Sequence, residues 1–260
     1  MGDQSQVSPE PTRRFSDRVE NYVRYRPSYP AGVIATLRER AGLGPGAVVA
    51  DVGSGTGIFA QLLLPHCLRV FGVEPNAAMR GAAENLLAGV PNFTSQSGTA
   101  EATGLSDGSV DLITAAQAFH WFEVPACRRE FARILRPGGR VALIWNERLT
   151  DASPFLMDYE ELLRKHATDY AQVDHTRVDE TALSAFFGPA GLFTAEFPNE
   201  QHFDLVGLEG RLLSSSYAPN VGQPGHDAMM AALAGLFARH QQQGRVALLY
   251  RTELHIGRLT

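Results

Sequence analysis

Seven residues, Asp51-Val52-Gly53-Ser54-Gly55-Thr56-Gly57, follow an apolar β-rich run, Ala47 to Val52, and open a helical stretch that reaches about Leu64. Glycines at 53, 55 and 57 let the backbone approach a ligand closely, and a helix start supplies unpaired N–H groups. Asp51 puts a carboxylate at the strand end, which is unwelcome beside a pyrophosphate but suits a cation or an amino group. Glu74 closes the next β-like run, 17 residues past Gly57. An acid at that place can take both hydroxyls of a ribose. Tight strand–helix packing alone can also require such a glycine turn. With both acids at strand ends, the spacing favours a nucleoside-type ligand.

The elements that must hold these groups can be read on either side of them. The segment Phe15 to Pro30, FSDRVENYVRYRPSYP, interleaves aromatic residues with arginine and ends in two prolines. It predicts a short helix and then an extended piece before a helix opening at Ala31. Further β-like runs are Arg69–Val73, Phe93–Gln96, Val110–Ala115 and Arg140–Trp145, alternating with helical stretches at Asn76–Leu87 and Pro125–Leu135. The second helix should stop at the breaker Arg136-Pro137-Gly138-Gly139. Five short apolar runs alternating with helices predict a doubly wound parallel sheet. Beyond Asn146, helices are expected near 153–167, 181–187, 205–216 and 226–243. Two β-like runs lie at 193–203 and 245–258, the latter alternating as an edge or antiparallel strand would. Residues 1–14 read as a disordered tail.

Composition removes several classes of function. The 260 residues are 44% hydrophobic, enough for one sizeable core. A net charge of −5 argues against gripping nucleic acid by electrostatics. Lys and Arg total 23 and the only lysine is Lys165, so any lysine-dependent mechanism must use that residue. Cys67 and Cys127 have no C-x-x-C spacing, the start has no signal-peptide pattern, and no apolar stretch approaches a membrane span. A soluble, cytoplasmic protein is expected. The histidines are scattered without ligand spacing, so no metal site is expected.

Taken in order, V-V-A-D-V-G-S-G-T-G-I-F-A (48–60), V-F-G-V-E-P-N-A-A-M (70–79), G-T-A-E (98–101), V-D-L-I-T-A-A-Q-A-F-H-W-F (110–122) and L-R-P-G-G-R-V-A-L-I-W-N (135–146) resemble the motifs of class I S-adenosylmethionine-dependent methyltransferases. The resemblance covers residues 15 to about 150. The closing part, with Ser214-Ser215-Ser216-Tyr217 and Tyr250-Arg251-Thr252, is similar to a small-molecule branch, type 11, that includes trans-aconitate methyltransferase-like proteins. The resemblance implies a Rossmann-like, doubly wound seven-stranded sheet whose last strand is antiparallel, with helical lid elements. It implies one methyltransferase domain over 15–260, with an N-terminal lid (15–30) and helical substrate-covering insertions at about 150–243.

It also implies residue roles. Gly53, Gly55 and Gly57 would pack on the methionine part of S-adenosylmethionine, with Asp51 near its ammonium. Glu74 would take the ribose, with Pro75 beside it and Met79 against the adenine. Ala100 would meet the adenine edge by its backbone N–H and Glu101 through the exocyclic amine. Gln117 would lie beside the methionine backbone and the sulfonium. Tyr22 and Arg26 are counted with the cofactor site.

Methyl transfer is mostly in-line alignment with water excluded. A carboxylate acceptor needs no base, whereas a hydroxyl does, and His120 is the candidate; it serves equally as a helix cap or as filling under a lid. Arg26 and Arg211 are placed to pair with a substrate carboxylate, although Arg26 also suits the cofactor's carboxylate. Tyr22, Tyr25 and Trp121 would form an aromatic lid or pack the first helix on the core, with Tyr217 counted among the substrate contacts. The acceptor is expected to be a small molecule bearing a carboxylate or hydroxyl oxygen. A nicotinamide-dependent dehydrogenase is disfavoured because Glu161 stands where a Tyr-x-x-x-Lys pair needs tyrosine. A nucleobase-amino methyltransferase is disfavoured because Gln117-Ala118-Phe119-His120 replaces the Asp/Asn-Pro-Pro-aromatic run. A non-catalytic cofactor-binding module stays open, as does the oligomeric state.

Overall fold

Strand β1 (Val48–Val52) is buried along four of its five residues. It is therefore apolar on both faces, with Asp51 as the exception, as expected of a central parallel strand. In the computed structural model, which describes residues 19–168, 170, 180–188 and 191–259, β1 pairs in parallel with β2 (Arg69–Val73) on one side and β4 (Val110–Ala116) on the other. β3 (Phe93–Gln96) continues beyond β2, and β5 (Leu135–Arg148), β7 (Val246–Gly257) and β6 (Leu192–Phe203) extend the other side. The order is β3-β2-β1-β4-β5-β7-β6, with β7 antiparallel to both neighbours. The seven-stranded sheet with an antiparallel last strand is thus present. β7 lies inside the sheet, and β6 is the edge.

The helices are α1 (Val19–Tyr25), α2 (Ala31–Arg40), α3 (Ile58–Leu63), α4 (Ala77–Leu86), α5 (Val124–Ile134), α6 (Pro154–His166), α7 (Glu180–Phe187), α8 (Leu205–Leu213) and α9 (His226–His240). Side chains cap several of them: Asn76 accepts from Ala78 and Met79 at α4, Glu123 from Ala126 at α5, Ser153 from Leu156 at α6 and Asp204 from Gly207 at α8. The Arg136–Gly139 breaker does end α5, but β5 already begins at Leu135. Its register with β4 jumps from Val110↔Leu135 to Leu112↔Arg140, so the Pro-Gly-Gly segment is a bulge at the strand's start rather than a loop before it. The expected helices at 205–216 and 226–243 end earlier, at Leu213 and His240. The tail at 1–14, and residues 15–18 of the lid, lie outside the described residues.

Apolar side chains form three clusters. One joins α2 and α3 to one sheet face through Leu37, Phe59, Leu63 and Leu112; another joins α5 and α7 to the other face through Phe131, Ile113 and Phe186. The third gathers Leu156, Tyr159, Leu208, Leu212, Leu233 and Leu248, so α6, α8 and α9 share a core with the far end of β7. Residues 150–243 are therefore not only a helical cover, because β6 runs through them as a strand of the main sheet.

Candidate active site

The strand order reverses between β1 and β4, and a crevice opens there at the carboxyl ends of the parallel strands. The chain after β1 turns sharply: the amides of Gly53 and Ser54 both donate to the Val73 carbonyl, at 2.8 and 3.1 Å. Gly53 has φ +69, and a Cβ there would lie 2.5 Å from the Ala118 Cβ, so only glycine fits. Gly55 has φ +55. Its amide donates to Glu74 Oε2 at 2.9 Å, and the Asn76 amide donates to Oε1 at 2.8 Å. Glu74 is thereby pinned to the glycine turn. Burial pushes its carboxyl up against the opposing pull of those two amides.

Asp51 is paired in register with Thr114 of β4, whose hydroxyl donates to Oδ1 at 2.8 Å. Oδ2 is buried with no hydrogen-bond partner. Burial pushes the Asp51 carboxyl up to about 7, with the Thr114 bond opposing, the charge of Glu74 adding to the rise and the Ala60 amide pulling weakly against it. An orphaned carboxylate oxygen in a cavity wall calls for a donor, best a cationic one. At the end of β4, Gln117 takes φ +55, a conformation that costs a non-glycine residue about 1–3 kcal/mol. Its amide donates to Ile144 O and its side-chain Nε2 to Asn146 O, which hold it there.

The loop carrying Ala100 and Glu101 is tied down from behind. Glu130 accepts from the amide and the hydroxyl of Thr103, and Arg133 bridges Glu130 to the Leu105 carbonyl. Arg133, with help from Thr103, holds the Glu130 carboxyl down to about 2.

One cavity of about 470 Å³ takes in these groups. Asp51, Gly53, Gly55, Glu74, Pro75, Met79, Ala100, Glu101, Gln117, Tyr22, Arg26, Trp121, Arg211 and Tyr217 all line it. Three expected site residues do not. Gly57, at φ +84, starts α3 and packs on Ala83 and Leu87. Tyr25 packs its ring over Gly210, where an added Cβ would lie 2.1 Å away, so it anchors α1 on α8 instead of facing the cavity. His120 sits in the tight turn Phe119–Trp121, packed against the Trp121 ring at 5.0 Å. Burial lowers its pKa to about 4. His120 is therefore not among the residues that line the cavity. Glu101 reaches the cavity, but its Oε1 accepts from the Glu123 amide at 2.9 Å.

Sequence reasoning missed part of the wall: Tyr29, Asn146, Arg148, Tyr170 and Tyr250 also line the cavity. Arg148 is ion-paired with Glu160 and hydrogen-bonded to the Tyr170 hydroxyl. Most of these positions come from β5, β7 and the segment after α6, outside the glycine-turn motifs. The alternation of β7 was the available signal, since Tyr250, Thr252 and Leu254 form its most buried row.

Residues 50–143 match the family model described as a methyltransferase domain. An uncharacterized methyltransferase of Mycobacterium tuberculosis is 40% identical over 134 residues, 52% of each chain. An uncharacterized methyltransferase-like protein of Schizosaccharomyces pombe is 30% identical over 158 residues, 60% of each. The matched stretch thus spans about half the length of these relatives. A solved structure from Anaeromyxobacter dehalogenans, described as a type II methyltransferase, superposes with a TM-score of 0.68 at 24% identity, covering 90% of this chain and 98% of that one. The YcgJ protein of Bacillus subtilis gives 0.55 at 20% identity, covering 88% and 99%. These structural likenesses speak to fold, and the sequence matches to the domain. Among the described residues, no helix is long and apolar enough to cross a membrane and no group of three or more His, Cys, Asp or Glu could hold a metal. The fold is the Rossmann-like methyltransferase fold of these solved structures, and residues 50–143 carry the match to a methyltransferase domain.

Proposed function

We propose that the chain transfers a methyl group from S-adenosylmethionine to an oxygen of a small-molecule acceptor, a carboxylate oxygen before a hydroxyl. The observation that carries the reading is that Asp51, whose buried Oδ2 has no hydrogen-bond partner, lines the same cavity as the pinned Glu74. The residues fit the cofactor: Asp51 offers its free oxygen to an ammonium, Glu74 keeps both oxygens oriented for a diol, and Gly55 in the cavity wall leaves open a position where a Cβ would meet only the Met79 methyl, at 3.5 Å. Bound there, S-adenosylmethionine supplies an electrophilic methyl group on a sulfonium. Gln117, fixed by Asn146 and Ile144, braces the end of β4 where the methionine part would lie. Trp121 and Tyr22 add aromatic surface to the same cavity. Among the described residues no histidine lines the cavity, which favours an acceptor already ionised at neutral pH.

The test supplies methyl-labelled S-adenosylmethionine with separate pools of small carboxylic acids, alcohols and phenols, and amines. Label is expected in alkali-labile esters from the acid pool. Product from the amine pool alone, or cofactor binding with no turnover on any pool, would overturn the reading.

A further inference from the structure

Two positive charges in the cavity wall have no carboxylate partner among the described residues. Arg211, on α8, is 6% exposed. Its guanidinium donates to the Tyr250 hydroxyl at 3.2 Å and to the hydroxyls of Ser214 and Ser215 at 3.4 and 3.1 Å, all of them neutral. Arg26, just after α1, donates through Nη2 to the Ser214 carbonyl at 3.0 Å and lies 4.6 Å over the Tyr22 ring. Its Nε is buried with no partner. Both side chains therefore converge on Ser214. Burial lowers the Arg26 pKa, Tyr22 opposes, and the charge of Arg211 lowers it further, so each guanidinium feels the other. Arg148, in the same wall, is neutralised by Glu160. Burying a cation without a counter-ion is costly, and burying two together more so, unless a ligand completes the pair.

We propose that Arg26 and Arg211 form a clamp for an anionic group that the acceptor carries in addition to the atom it presents for methylation. This rests on the methyltransferase reading above. The anion is a handle and not the reacting group for a reason of charge. Methylating a clamped carboxylate gives a neutral ester, which removes the charge that the clamp binds. The guanidiniums would then hold the ground state more tightly than the transition state and slow the step. A handle keeps its charge throughout.

The clamp also joins two elements. Arg211 donates to the Tyr250 hydroxyl, which donates to Gln201 Oε1 at 2.9 Å, and Gln201 Nε2 donates to the Tyr25 carbonyl at 3.1 Å. The Ser28 carbonyl accepts from Asn146 and Asn199. An anion gripped by both arginines therefore adds a bridge between the strap at 25–28 and α8 to the bonds that already join them.

Calorimetric titration tests this with acetate, malonate, succinate, glutarate, benzoate and inorganic phosphate, each carboxylate against its amide, with and without saturating S-adenosylhomocysteine. At least one anion is expected to bind about ten times more tightly than its neutral counterpart or, for phosphate, with a Kd below about 1 mM, as a charge-assisted pair would give. Arg26→Gln and Arg211→Gln should each weaken that anion at least about tenfold while moving S-adenosylhomocysteine affinity less than about threefold. Amides binding as well as acids, or no anion binding at all, would overturn the clamp. So would an Arg26→Gln that weakens S-adenosylhomocysteine about tenfold and leaves the anion alone, since Arg26 would then serve the cofactor's carboxylate. The acid-to-amide ratio in the unmodified protein decides the matter even if a variant does not fold. Failure of S-adenosylhomocysteine to bind counts against the methyltransferase reading, and anion binding in its absence is read separately.

Discussion

Replacing Asp51 with asparagine should strengthen the ligand-free fold and weaken the cofactor site at once. The carboxyl titrates near 7 in the fold against a reference value of 3.8, because burial outweighs the hydrogen bond from Thr114. A folded-state pKa above the unfolded one means the native state binds the proton more tightly, so stability falls as pH rises between those values. Holding the ionised carboxylate in the ligand-free fold above pH 7 then costs about 4 kcal/mol. The asparagine side chain would keep an acceptor for Thr114 and carry no charge. Its amide group would still lack a partner, which returns about 1–3 kcal/mol of the gain. Asp51→Asn is therefore expected to raise the urea-unfolding free energy by about 1–3 kcal/mol at pH 8, with the advantage gone by about pH 4–5. Binding moves the other way. Losing the carboxylate leaves the ammonium of S-adenosylhomocysteine unpaired, for about 2 kcal/mol or more, a loss of about 30-fold in affinity. In the unmodified protein, affinity should climb with pH through about 7, where Asp51 is half ionised, and level off above it. Unfolding curves identical at pH 8, or affinities within about threefold of each other, would refute the assignment of Asp51 as a buried, charge-strained partner for an ammonium.

Glu74→Gln would set an amide N–H against either the Gly55 or the Asn76 amide, and should weaken S-adenosylhomocysteine at least about tenfold in calorimetry. His120→Ala is expected to change kcat less than about threefold, since the ring does not line the cavity; a loss of about a hundredfold would restore it as a base. Gly210→Ala drives a methyl group into the Tyr25 ring, so trypsin should cut after Arg24 several-fold faster than in the unmodified protein. An unchanged cutting rate would mean that Tyr25 does not anchor α1.

The cofactor half of the site was readable because its parts are local. The glycine turn, Asp51 and Glu74 sit within 24 residues, and their geometry follows from where β1 and β2 end. Directions and distant partners were not readable. Successive residues of a 3-10 turn point about 120° apart, so Trp121 enters the cavity while its neighbour His120 does not. Tyr22 and Arg26 share a wall, but Tyr25 is taken up by Gly210, far along the chain. Arg148 and Tyr250 meet only through the antiparallel pairing of β5 with β7, a register fixed by two long strands rather than by any motif.

The cavity has a sign at each end: Asp51 and Glu74 on the side of β1 and β2, Arg26 and Arg211 on the side of α1 and α8. On the proposed reading such a wall would act as a fixed dipole, orienting a cationic donor and an anionic acceptor before either makes close contact. Transfer would remove the sulfonium charge but leave the ammonium, so Asp51 would hold the donor and the spent cofactor by the same contact.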